Sequence, residues 1–117
     1  MAGTPFKYKK QAVKDKQPSM NVPNVAAFLG DTFVSDDADK RICAGFFQLE
    51  KGQPLNYTYD YEEMKIVVEG TFTISDSTGQ KVTATVGDVL HFPSGCSVTF
   101  ETQDRAVGFF CGQRAPI

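Results

Sequence analysis

The sequence predicts an all-β protein, built as a sandwich or as a closed barrel. Short segments rich in Val, Ile, Thr and Phe recur about every ten residues, and Gly, Pro, Asp or Ser bounds each of them. No segment repeats its apolar residues with the 3.6-residue period of an amphipathic helix. Regularly spaced short strands without helices are typical of sandwiches and barrels. A chain of 117 residues is long enough for one such domain.

The first 24 residues are predicted to form an extended, lysine-rich arm before a single domain over residues 25–117. Three prolines interrupt this segment, and its apolar residues follow no regular period. It holds five lysines against one acid, Asp15, whereas the whole chain has a net charge of −2, so the domain is acidic. Because the arm contains no arginine, we expect it to be solvated or to wrap around a partner, and we expect no nucleic-acid binding.

The predicted strands follow one another from residue 25 onward. In chain order they lie in the segments VAAFLGDTFVSDD, RICAGFFQLEKGQP, MKIVVEGTFTISD, KVTATVGDVLHFPSG, SVTFETQD and AVGFFCGQR. The intervening SDSTGQ is predicted to be a hairpin loop in which Gly79 adopts a positive φ. Hairpins of this kind give antiparallel sheets with one face turned inward.

Composition excludes several protein classes. The chain contains no run of eighteen apolar residues, and MAGTPFKYKKQ at its start lacks the apolar core of a secretory signal. We therefore expect a soluble, cytoplasmic protein without membrane contact. Cys43, Cys96 and Cys111 are widely spaced and form no CxxC pair, so they are predicted to be free thiols.

Two glycine-anchored segments resemble the paired motifs of the cupin superfamily. GQPLNYTYDYEEMKIVVEG (52–70) resembles the first motif, with Glu63 seven residues before Gly70, and GDVLHFPSGCSV (87–98) resembles the second. Within the superfamily, the chain is most similar to the EutQ-like cupins of ethanolamine utilisation. The resemblance implies a cupin jelly-roll β-barrel, also called a double-stranded β-helix.

The resemblance also implies that the usual cupin metal site is missing. Cupins that bind metal place an HxH pair shortly before the Glu and a third His in the second motif, but residues 56–60 contain no histidine and Val98 occupies the third position. Imidazole, the commonest transition-metal ligand, occurs once in the chain, as His91. We therefore expect neither a metal nor another cofactor. A weak site for a hard cation, built from Glu63, Glu69, Asp60 and a tyrosine, stays open.

The orientation of the charged residues depends on the resemblance. Strand alternation puts Glu63, Lys65 and Glu69 on one face, and by itself it predicts that this charged face meets solvent. In cupins, however, the Glu that matches Glu63 points into the barrel. The resemblance thus implies that all three charged side chains lie inside.

The opposite face of this strand carries Met64, Ile66 and Val68, which are then expected outside the barrel. An apolar row on an exposed sheet requires a partner. We expect a second copy of the chain there, forming a twofold homodimer, because isologous dimers are the commonest oligomers.

The candidate site centres on Glu63 and Lys65 as an acid/base pair, since their side chains can meet two residues apart on one face. The residues expected to bind a small-molecule ligand in the barrel are Tyr57, Tyr59, Tyr61, Glu69, Leu90 and Phe92. For the tyrosines, aromatic packing at the rim is the open alternative. His91 alternates with Leu90 and Phe92 and is expected outside, although a direct role stays open. Arg114 is expected at the surface.

These residues favour a metal-independent enzyme of the isomerase, dehydratase, cyclase or lyase type, acting by proton transfer on a small oxygenated substrate. No redox-cofactor motif such as GxGxxG is present. The alternative is a non-catalytic EutQ-like ligand-binding or assembly module, in which the charged barrel is a satisfied polar network. The resemblance also implies a link to acetate-kinase activity, but the sequence shows no Gly-rich phosphate loop.

Overall fold

The computed structural model describes residues 3–116 and confirms the all-β prediction. A 3₁₀ helix, Ala12–Lys14, precedes eight strands. The strands are β1 (Ala27–Val34), β2 (Cys43–Glu50), β3 (Leu55–Thr58), β4 (Glu63–Asp76), β5 (Lys81–Thr85), β6 (Val89–Phe92), β7 (Ser97–Glu101) and β8 (Arg105–Gly112). Within the described residues, no helix is long and apolar enough to cross a membrane.

Strand β4 joins two antiparallel sheets. Its first half pairs with β8 and β6 in a sheet of order β1-β2-β8-β4-β6. Its second half pairs with β5 and β7 in a sheet of order β3-β7-β4-β5. A register shift between Val67 and Glu69 and a positive φ of 70° at Gly70 lie where the strand changes sheets. A Cβ atom at Gly70 would overlap the carbonyl oxygen of Arg105, so both the backbone angle and the space require glycine there.

The structure refines two of the predicted segments. KVTATVGDVLHFPSG contains two strands, because a turn ends β5 at Thr85 and β6 begins at Val89. Gly87 has a φ of 95° in this turn, and Asp88 accepts a hydrogen bond from the Thr85 amide. The tyrosine-rich stretch begins with β3, which the sequence did not predict and which pairs with β7.

Phenylalanine side chains fill the interior between the sheets. Phe47 is 2% exposed and lies between Phe72 and Phe100, at ring-centroid distances of 5.7 and 5.2 Å. Phe92 continues this cluster, 5.6 Å from Phe100. Burying one such side chain contributes about 1.5–3 kcal/mol, so this aromatic cluster is a main source of stability.

Part of the arm adds to the free edge of β1. Ser19 forms a β-bridge with Phe28, and the amide of Met20 donates a 2.9 Å hydrogen bond to the carbonyl of Ala27. The side chain of Met20 packs against the buried core. Earlier in the arm, Phe6 and Tyr8 are 91% and 75% exposed. The arm therefore has an attached part next to the barrel and an upstream part that carries exposed aromatic rings.

Candidate functional site

Three polar side chains meet inside the barrel. Glu63 and Lys65 point inward from β4, and Tyr59 comes from the segment after β3. Lys65 Nζ lies 3.4 Å from Glu63 Oε2, and the Tyr59 hydroxyl donates a 2.7 Å hydrogen bond to the same oxygen. All three residues are at most 3% exposed. The inward orientation that the resemblance implied for Glu63 and Lys65 is confirmed, whereas their catalytic role stays a prediction.

Three aromatic rings also lie close to the Lys65 ammonium. Its Nζ lies 4.4, 4.7 and 5.4 Å from the ring centroids of Phe47, Phe100 and Phe92, which are cation–π distances. Burial lowers the pKa of Lys65, and the Glu63 carboxylate opposes this only in part.

A glycine makes the position of Lys65 possible. On the neighbouring strand β8, a Cβ atom at Gly108 would lie only 2.8 Å from Cδ of Lys65. The lysine stem therefore lies flat against glycine backbone before its ammonium reaches Glu63. Any larger residue at position 108 would compete for this space.

Tyr57, Tyr59 and Tyr61 form a connected group next to the Glu63–Lys65 ion pair. The Tyr57 and Tyr61 hydroxyls are 2.8 Å apart, and the Tyr59 ring stacks on Phe92 at 4.8 Å. Burial, followed by the negative charge of Glu63, raises the pKa of Tyr59. Burial, followed by the hydrogen bond between the Tyr57 and Tyr61 hydroxyls, raises the pKa of Tyr61. Both hydroxyls therefore stay protonated near neutral pH and can donate hydrogen bonds.

A cavity of about 20 Å³ lies beside these groups. Its lining residues are Met20, Leu29, Phe47, Leu55, Tyr57, Tyr59, Tyr61, Glu63, Lys65 and Phe100. This volume accommodates about one water molecule, whereas ligand pockets usually measure about 300–1,000 Å³. The expected small-molecule pocket therefore has space for about one water molecule in this structure, and Met20 of the arm lies in its wall.

The inward orientation expected for Glu69 is wrong. The register shift after Val67 inserts an extra residue into β4 and reverses the alternation of its side chains. Glu69 is consequently exposed and forms an ion pair with Arg105 on the surface. It cannot contact a ligand held beside Lys65.

Leu90 and Phe92 point toward the interior, but neither lines the cavity. Phe92 is 3% exposed and supports Tyr59, while Leu90 is partly buried against the core. As expected, His91 lies outside. Its Nε2 is 2.9 Å from a carboxylate oxygen of Glu62, whose other oxygen accepts a hydrogen bond from the Ser94 amide.

A second buried ion pair joins the two ends of the domain, and sequence reasoning missed it. Arg114 donates hydrogen bonds of 2.8 and 3.1 Å to Asp31, and both side chains are 8% exposed. The guanidinium also lies 5.6 Å from the ring centroid of Tyr61. Burial opposes the cation, but the hydrogen bonds and charge of Asp31 raise the pKa of Arg114 above its ordinary value. The expected surface position was wrong because partners 83 residues apart leave no local signal.

The residues in the barrel do not fit a cupin metal centre. Within residues 3–116, no three His, Cys, Asp or Glu side chains lie close enough together to hold a metal ion. Among the described residues, Glu63 supplies the only carboxylate in the cavity lining, and its Oε2 already contacts the Lys65 ammonium and the Tyr59 hydroxyl. Glu69 and Asp60 are exposed, so the carboxylates of the alternative hard-cation site do not meet Glu63 in the barrel. The Lys65 ammonium is the cation that this carboxylate holds.

The outer side of β4 carries the expected apolar row. Met64 is 54% exposed, and Ile66 and Val68 are partly buried. The neighbouring strand β8 extends this row, because Met64 pairs with Cys111 and Ile66 pairs with Phe109. We call this surface the outer apolar face.

Comparisons with known proteins agree with this architecture. The family described as "Ethanolamine utilisation protein EutQ" matches residues 6–112. Over 74 residues the chain is 35% identical to "Acetate kinase EutQ" of Escherichia coli (strain K12), covering 63% of the chain but 30% of that relative. The chain spans about half or less of the curated relatives it matches.

Solved structures show the fold. The Clostridium difficile EutQ protein superimposes with a TM-score of 0.75 at 21% identity, covering 90% of this chain and 78% of the other. A cupin superfamily protein from Desulfitobacterium hafniense DCB-2 gives a TM-score of 0.63 at 13% identity, covering 96% and 94%. The cupin fold implied by the two glycine-anchored segments is therefore confirmed.

Proposed function

Since this chain belongs to the EutQ family of the cupin superfamily, we propose that it is a metal-independent enzyme that performs acid/base chemistry on a small oxygenated substrate. The observation that carries the proposal is the convergence of Glu63, Lys65 and Tyr59 on one cavity. Perturbed titratable groups in a cavity are candidate acids and bases. The reaction class is proton transfer, of the isomerase, dehydratase, cyclase or lyase type.

The contacts of Lys65 support a role beyond stability. Replacing a buried ion pair by apolar residues is often neutral or stabilising by about 1–4 kcal/mol, so such a pair is weak evidence for a stabilising role. An ammonium has three N–H donors. Among the described residues, one carboxylate oxygen lies 3.4 Å from the Lys65 nitrogen, and the other close groups are aromatic rings. A substrate oxygen in the cavity would accept a hydrogen bond from the Lys65 ammonium. Glu63 would meanwhile take a proton from the substrate and return it.

Access to the cavity requires movement, because its volume of about 20 Å³ admits only one water or one small functional group. Met20 is the wall residue best suited to move. Its side chain is unbranched and flexible, and it belongs to the arm and not to a barrel strand. We propose that the substrate enters past Met20 and the hydroxyls of Tyr57 and Tyr61.

The name acetate kinase, which the curated relatives carry, raises phosphoryl transfer as a further activity. That chemistry depends on backbone amides and cations that hold phosphate groups. In the described part of the chain, the two buried cations nearest the site, Lys65 and Arg114, are engaged by Glu63 and Asp31. The geometry therefore supports proton transfer better than phosphoryl transfer.

The second candidate is a non-catalytic assembly module, which the small cavity volume favours. In this case Glu63, Lys65 and Tyr59 form a structural network, and the working surface is the outer apolar face. We propose a second copy of the chain as its partner, because a face that repeats around a twofold axis buries the exposed Met64 of both copies.

Solvent exchange provides a test that requires no knowledge of the product. Small carbonyl and hydroxy-acid compounds would be incubated with the protein in D₂O, and loss of C–H signals would be followed by proton NMR. The enzyme proposal expects exchange in at least one compound, abolished in Glu63→Gln because an amide cannot accept the proton. Glu62→Gln is the matched control, since Glu62 is the preceding residue and is exposed.

The outcomes separate the two candidates. Exchange that survives in Glu63→Gln would remove Glu63 from the mechanism. No exchange in any compound, together with a dimer that Met64 substitutions disrupt, would overturn the enzyme proposal and support the assembly module.

A further inference from the structure

The surroundings of the Lys65 nitrogen differ from those of an ordinary surface lysine. Its side chain is 3% exposed, three phenyl rings face the nitrogen, and the cavity lies beside it. Removing a lysine from water by apolar neighbours is one way in which proteins turn an amine into a nucleophile. Lysines of this type attack carbonyl carbons and form imines.

We propose that Lys65 is a nucleophile that forms an imine with a small carbonyl compound admitted to the cavity. This inference rests on the proposed function in one respect, because both require a small molecule to reach the barrel interior. It goes further by assigning a covalent step to one atom, Lys65 Nζ, and by naming the chemical class of the substrate.

Glu63 is positioned to handle the protons of this step. At 3.4 Å, its Oε2 accepts one proton from the ammonium and leaves a neutral amine. The nitrogen lone pair then attacks the carbonyl carbon, and a proton passes from nitrogen to oxygen to give a carbinolamine. The protonated Glu63 returns its proton to the hydroxyl, the C–O bond breaks, and water leaves. Amine and aldehyde thus give imine and water without an oxidant or a reductant.

Charge balance favours this product. The protonated imine carries its positive charge at the position that the ammonium occupied, so it keeps the carboxylate of Glu63 and the faces of Phe47 and Phe100 as neighbours. Tyr59, bonded to the same carboxylate, holds Glu63 in place during the exchange. The barrel therefore needs no rearrangement of charge when the covalent bond forms.

Reductive methylation tests the proposal on the intact protein. Formaldehyde is the probe, since the smallest carbonyl compound suits a cavity of about 20 Å³, and cyanoborohydride converts each imine to a stable methylamine. Peptide mass spectrometry would give the initial labelling rates of Lys65 and of the exposed Lys51 and Lys81 at neutral pH. The same peptides labelled in denaturant correct for differences in detection.

We expect native Lys65 to label at least about tenfold faster than Lys51, because apolar rings and the adjacent Glu63 carboxylate favour a nucleophilic amine beside the cavity. Equal rates for the three lysines, or a Lys65 that stays unlabelled while the others react, would overturn the inference. The two proposals fail separately. Solvent exchange of substrate protons without labelling of Lys65 would support the acid/base function and refute the imine. Labelling of Lys65 without solvent exchange would support the imine and refute the acid/base function.

Discussion

The Lys65 ammonium nitrogen lies 3.4 Å from Oε2 of Glu63, and both side chains are 3% exposed. The two residues are two apart on β4, so strand alternation puts both on the inner face. Gly108 provides the space in which the lysine stem lies, and three phenyl rings cover the charge. In this cupin barrel, the positive charge beside the Glu63 carboxylate is therefore the ammonium of Lys65.

Removing one member of this pair is expected to destabilise the protein more than removing both. Lys65→Met should lower the free energy of unfolding by about 3–5 kcal/mol, because Glu63 would remain buried without its cation. The double variant with Glu63→Gln should recover most of this loss. Urea denaturation of both variants measures the difference, with the exposed Lys51→Met as a control that should change stability by less than about 0.5 kcal/mol. A loss below about 1 kcal/mol for Lys65→Met would show that the pair is not coupled as described.

Stability is expected to fall at alkaline pH because of Tyr59 and Tyr61. Burial is the first cause that raises the pKa of each hydroxyl above its value of about 10 in the unfolded chain. Above that pH the folded state binds more protons than the unfolded state, so the free energy of unfolding decreases as pH rises. Below a pH of about 10, the protonated hydroxyls of Tyr59 and Tyr61 make their full contribution to the free energy of unfolding.

Denaturant midpoints measured across this pH range, together with tyrosinate absorbance, test the effect. In the parent protein, part of the absorbance change should coincide with unfolding. A Tyr59→Phe, Tyr61→Phe double variant should lose that part and show a weaker dependence of stability on pH. Ionisation of all four tyrosines while the protein stays folded would contradict the burial described here.

The outer apolar face is expected to hold a second copy of the chain. Met64→Lys would place a charge at the centre of that contact, and the resulting desolvation cost should raise the dimer dissociation constant at least about tenfold. Sedimentation equilibrium measures this constant. Thr83→Lys, at an exposed position of β5 in the other sheet, is the matched control and should leave it unchanged. A parent protein that is monomeric at all concentrations would refute the dimer.

Local patterns in the sequence determined much of the fold. Alternation at period two and turn residues between short runs predicted the strands, because both effects depend only on neighbouring residues. Gly70 is conspicuous in the sequence as the end of the first cupin-like motif, and in the structure it lies where β4 changes sheets, at a backbone angle and a contact with Arg105 that only glycine fits. The inner face of the strand was indicated only by the resemblance to the first cupin motif, in which the Glu that matches Glu63 points into the barrel.

Tertiary structure alone decided the shape of the site. An extra residue after Val67 reversed the orientation of Glu69, and alternation cannot show such a shift because it depends on pairing with β8. Arg114 became buried through Asp31, which is distant in sequence, and Met20 of the arm lies in the wall of the cavity. The sequence thus determined which groups are available for chemistry. Packing between segments far apart in the chain decided how much space surrounds them, because cavity volume is set by side chains that meet only in the folded protein.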